Sequence, residues 1–153
     1  MRKIYIFLLA MIVGMEISIG AFLAPVVFFP ASIIGEGVLT HFQSGQLMTQ
    51  VFLKFNNVLL VVSVVAIIFE GLNLRNKDES FTKKISSFML ALIALILALA
   101  FIFYFSAYVV EAQNLGAEAT KSVEFAKMHK ASELVMKIMM IAQALLFYIK
   151  AKA

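Results

Sequence analysis

Four ionisable side chains lie inside stretches otherwise apolar enough to cross a bilayer: Glu16, Lys54, Glu133 and Lys137. Two are acids and two are bases. A lone charge in hydrocarbon costs on the order of 2.5–3.5 kcal/mol on insertion scales, so such groups turn to the bundle interior or a wet cavity. Gathered together they make a neutral buried network. Asn57, beside Lys54, and Gln143, beyond Lys137, can complete its hydrogen bonds. Such a network can bind or relay an ion, or it can fix helix register and partner choice.

Spacing sharpens this. At 100° per residue, His129, Glu133, Lys137 and Gln143 share one side of a helix. Glu133 and Lys137 form an i,i+4 acid-to-base pair, the better orientation. Gln50, Lys54 and Asn57 share one face of an earlier segment; Thr49, Asn56, Ser63 and Glu70 share roughly the opposite face. Lys54 is expected to meet Glu16 or Glu133, with snorkelling as the alternative. Glu16 falls near mid-membrane, and Glu70 reads as interfacial.

His41, His129 and Ser132 are polar candidates on the outer side. Nine methionines and two histidines raise a copper reading, and paired histidines raise a haem reading. No His-x-His pattern supports either, and methionine is a common apolar filler. There is no cysteine, and no HExxH, GxSxG or P-loop pattern. No catalytic residue, metal site or cofactor is expected.

The elements that must position these residues follow from composition. The 153-residue chain is 63% hydrophobic and 14% charged, with a mean hydropathy of +0.98. Soluble domains are usually about 45–50% apolar and about 25% charged. The expected fold is all-α: an integral membrane four-helix bundle forming one domain over residues 1–153. Each of four apolar segments reaches the roughly 20 residues a span needs. They run over about 4–29, 47–72, 85–110 and 132–149. The first also fits a cleaved signal, but Glu16 interrupts that pattern and apolarity continues to Phe29. This helix is expected to end near Ala24-Pro25, because a residue before proline is pushed from the α region. Asn114-Leu115-Gly116 predicts a turn, and the fourth helix is expected to begin outside the membrane.

Eight Lys and Arg residues flank the segments on the side of the termini: Arg2, Lys3, Arg75, Lys77, Lys83, Lys84, Lys150 and Lys152. Only Lys121, Lys127 and Lys130 lie on the other side. Both termini are therefore expected to be cytoplasmic, in a multi-pass protein of the cell inner membrane. The net charge of +4 comes from short clusters, without a basic face for nucleic acid. Lipids are the expected partners. Two small-residue stripes, Ala10/Gly14/Ser18/Ala21 and Ser87/Ala91/Ala94/Ala98, allow close helix approach. They favour a homo-oligomer or a membrane-protein partner.

Three stretches carry a family resemblance: APVVF (Ala24–Phe28), SGQLMTQVFLKFN (Ser44–Asn56) and FAKMHKAS (Phe125–Ser132). With them the chain resembles the domain of unknown function 4149 family of small bacterial membrane proteins, similar to transmembrane protein 205. That resemblance implies a four-helix membrane domain and carries no established activity. Two classes of function stay open. One is a small carrier, channel or ion-linked accessory subunit. The other is a structural or assembly subunit, with copper or haem binding a distant third.

Overall fold

The computed structural model describes residues 2–152, which form helices joined by short loops, with no strand among them. Four helices are long and apolar enough to cross a membrane: Arg2–Phe28, His41–Asn73, Phe81–Asn114 and Val123–Lys152. They are called the first to fourth helices below. The second, third and fourth run past their apolar segments at both ends, because polar residues at the ends extend a helix as readily as apolar ones.

The first helix packs on the second and fourth, and the third on the second and fourth. This is an antiparallel ring of four in chain order. Arg2 Nη2 donates to the Lys150 carbonyl at 2.9 Å, so the two ends of the chain share one end of the bundle. That end is called terminal and the other distal.

Local sequence explains the boundaries. Thr40 and Gln43 form a reciprocal capping box that starts the second helix. Gly116 takes a φ of 103° directly after the third helix, a conformation open to glycine, so the turn forms where Asn114-Leu115-Gly116 predicts it.

The first helix does not end at Ala24-Pro25. It continues to Phe28, with a π-helical segment over Ser18–Leu23. The wider turn lets the Ala24 N–H reach the Ile19 carbonyl. Pro25 then stands in the first turn of a new α segment, where its missing N–H is tolerated. The third helix holds a second π segment, Phe101–Phe105. Both lie in the distal half, and π turns inside α-helices recur at functional sites.

The two small-residue stripes have different fates. Ser87, Ala91, Ala94 and Ala98 are buried between the third helix and its neighbours. Ala10, Gly14, Ser18 and Ala21 lie exposed on the first helix. The main apolar cluster gathers Ile12, Ile19, Leu59, Phe101 and Met139 around the middle and distal half.

Candidate functional site

At the distal end the four helices part around a cavity of about 190 Å³. Six phenylalanines line it: Phe28, Phe42, Phe52, Phe101, Phe105 and Phe125. The second π segment supplies Phe101 and Phe105, four apart and so on one face of their helix. Met48 and Met136 add flexible thioethers, suited to filling irregular space.

Polar groups complete the lining. His41 packs against Phe28 with ring centroids 5.3 Å apart, and His129 stacks on Phe125 at 6.1 Å. Asn56 donates to Ser106 Oγ at 2.9 Å, Gln113 to Thr49 Oγ1 at 2.9 Å, and Ser132 to the His129 carbonyl at 2.7 Å. Thr49 and Gln113 also line a shallower groove of about 420 Å³ between the second and third helices. Their hydrogen bond is thus a partition between the cavity and that groove.

The depth of the cavity follows from helix geometry. Lys150 and Glu70 touch, so they mark one level. A hydrocarbon layer of about 30 Å is about 20 residues at about 1.5 Å each. With its terminal face set at those two residues, such a layer ends near Gln50 and Lys130. The cavity straddles that boundary, with His129 at the rim and Phe52 and Met136 beneath it.

The six expected network residues do not assemble into one network. Glu16 is 2% exposed, lies between Ile12 and Ile19 on the core face, and has no hydrogen-bond partner for either oxygen. Gln143 is buried, with its Oε1 unpartnered. Lys54 lies exposed on the second helix and makes no ion pair among the described residues. By the same count it sits about 6 Å below the boundary, within reach of its own stem, so snorkelling replaces the expected pairing. Asn57 is also exposed and turns back to the Leu53 carbonyl at 3.5 Å. Glu133 pairs instead along its own helix, with Lys137 at 3.6 Å and His129 at 3.4 Å, all three exposed.

The best-formed charge cluster is at the terminal end, around Glu70, which the sequence alone reads as interfacial. Glu70 is fully buried and Lys150 is 1% exposed, with Nζ 2.9 Å from a Glu70 oxygen. The same Nζ donates to Glu79 Oε2 at 3.2 Å, and Asn73 donates to that oxygen at 2.8 Å. Tyr5 stacks on Phe69 beside the pair at 4.1 Å. Burial acts to raise the Glu79 carboxyl. The Asn73 and Lys150 hydrogen bonds, with the positive field of Lys150 and Arg2, outweigh it and hold the group below its ordinary range. This cluster ties the first, second and fourth helices to the loop between the second and third. Its sequence signal was an acid and a base each at the terminal end of its helix, but their pairing spans 80 positions.

Among the described residues no group of three or more His, Asp or Glu side chains could hold a metal ion. His41 and His129 do line one cavity.

The stretches that carried the resemblance converge on the cavity. Phe28 comes from APVVF, Gly45 to Leu53 from SGQLMTQVFLKFN, and Phe125, His129 and Ser132 from FAKMHKAS. A comparison with curated proteins found no match, and a comparison with solved structures found none. FAKMHKAS lies beyond the part of the chain that a family model covers. That model, described as a domain of unknown function (DUF4149), matches residues 7–118, well over half of the chain, and so the four-helix membrane protein belongs to this family.

Proposed function

We propose that the distal cavity binds an amphiphilic, lipid-soluble molecule, and that the protein serves as a small carrier or accessory subunit in the membrane. The observation that carries this reading is the distal cavity, lined by phenylalanines together with His41, Gln113 and His129. An apolar portion would lie among Phe52, Phe101 and Met136. A polar head would meet His41, Gln113 and His129. Ligand sites are commonly apolar clefts with a few placed polar groups. The Thr49–Gln113 partition would admit the molecule sideways from the bilayer. With both termini cytoplasmic, as the Lys and Arg distribution favours, the cavity opens on the outer side of an inner membrane.

A liposome containing a diazirine-bearing fatty-acyl phospholipid tests this. Photolabelling is expected on peptides holding Phe52, Phe105 and Met136, and it should fall when Val109→Phe fills the cavity. Labelling confined to lipid-facing Phe22, Phe103 and Ile141 would count against it.

One observation favours a second reading, an assembly subunit. The stripe Ala10, Gly14, Ser18 and Ala21 is exposed, and a Cβ built on Gly14 meets nothing within 4 Å. A second copy or another membrane helix could approach closely there.

A further inference from the structure

The second helix buries one polar residue every seven positions: Thr49, Asn56, Ser63 and Glu70. Each step is two turns, about 10 Å of rise. The stripe therefore runs from the cavity wall, at Thr49, to the terminal charge cluster, at Glu70. The antiparallel fourth helix repeats the interval with His129 at the cavity, and with Gln143 and Lys150 buried below. The first helix adds Tyr5 at the terminal end and Glu16 in the middle.

Much of this line lacks partners. Glu16 Oε1 and Oε2, Asn56 Oδ1, Ser63 Oγ, Gln143 Oε1 and Tyr5 Oη are buried without a hydrogen bond inside the protein. Ser87 Oγ on the third helix joins them. Buried polar groups are almost always satisfied by protein or by ordered water. Six residues in one run, on four packed helices, point to a file of water rather than to six separate faults.

We propose that this run is a hydrated proton pathway from the terminal charge cluster to the distal cavity, with Glu16 as its proton-carrying intermediate. It does not depend on what the cavity binds. In each transfer the Glu16 carboxyl O–H breaks toward a water on one side. The carboxylate then takes a proton from a water on the other side, and no electrons change hands. The buried and charged groups on the helices packed around the first leave Glu16 that role. The second helix presents Asn56 and Ser63, with its acid Glu70 at the terminal end and Lys54 on the exposed face. The fourth presents Gln143 and Met139, with Lys150 at the terminal end and Glu133 and Lys137 outside. The third contributes Ala94, Ala98 and Ser87.

The full-length protein in phosphatidylcholine liposomes, under a potassium diffusion potential with a pH-sensitive dye inside, tests the pathway. Wild type should pass protons faster than protein-free liposomes. Glu16→Gln should abolish the excess and Glu16→Asp should keep part of it. The double variant Ser63→Ala/Gln143→Leu should slow it by about tenfold, the rate equivalent of about 1.4 kcal/mol on a barrier. Infrared spectroscopy keeps the test decisive if a variant folds poorly. Wild type alone should show a protonated carboxyl stretch, lost in Glu16→Gln, that shifts on transfer to deuterated water. Wild-type flux equal to empty liposomes, full flux in Glu16→Gln, or a Glu16 band that never exchanges would each overturn the pathway.

Discussion

Lys54 and Lys150 show how little a lysine's position in the sequence says about its burden. Lys54 stands deep in an apolar run yet lies on an exposed face, where its stem reaches the boundary. Lys150 stands in a tail of basic residues yet is buried against Glu70. Removing one partner of a buried pair leaves the other uncompensated and typically costs roughly 3–5 kcal/mol. Lys150→Met should therefore lower the unfolding free energy in detergent by that order. Glu70→Gln should cost less, since Glu79 still pairs with Lys150, and the double variant should cost less than the sum. Lys54→Met should stay within about 0.5 kcal/mol of wild type, as an unpaired surface change does. A coupling between Glu70 and Lys150 below about 0.5 kcal/mol would show that the pair does not act as a unit.

Glu79 adds a pH dependence. Its folded carboxyl is held below its ordinary range, chiefly against the pull of its own burial, by Asn73 and Lys150. A group with a depressed folded value binds protons less readily when folded. Its stabilising effect is therefore complete above the unfolded value, about 4.3, and is lost as pH falls through the folded value. Melting curves should show Glu79→Gln less stable than wild type at pH 7. The gap should close at acid pH; a gap constant with pH would exclude this linkage. Glu16 and Gln143 were legible as buried because no apolar helix can hide them at mid-depth. The terminal cluster was not, because hydropathy places Glu70, Glu79 and Lys150 at helix ends without saying which ends touch.

At the scale of elements, periodicity separated helices from loops but could not orient every face. Both small-residue stripes repeat every three or four residues. Only the one on the third helix met neighbours inside the bundle. Ala98→Leu should overpack that contact and cost about 1–3 kcal/mol. Gly14→Leu meets open space and should leave the monomer's stability unchanged or slightly improved. If the exposed stripe joins two copies, the same substitution should shift the species in detergent toward monomer, read by light scattering. The π segments were also hidden from the sequence. Nothing in FIFYF announces a π turn. In the first helix, Pro25 gave a signal of disturbance, but the helix absorbed it instead of ending.

At the scale of the whole molecule, composition alone was enough for a four-helix membrane bundle, because few other folds tolerate 63% apolar residues and so few charges. Which end faces the cytoplasm rests on eight cationic residues against three. A cysteine at Asn76 should label only from the cytoplasm and one at Ala117 only from outside. The reverse result would invert the cavity's access, and labelling of both from one side would remove a span. The cavity itself was foreshadowed only by His41, His129 and Ser132. Its phenylalanines looked like ordinary core, and their convergence depends on four helices meeting at one depth.

Binding in that cavity is tested most directly by native mass spectrometry of the protein released from membranes in a mild detergent. The expected spectrum shows one added amphiphile per chain, reduced or lost in Val109→Phe while the fold is kept. A bare wild-type mass, an adduct indifferent to filling the cavity, or an added mass matching copper or haem would contradict an amphiphile-binding role.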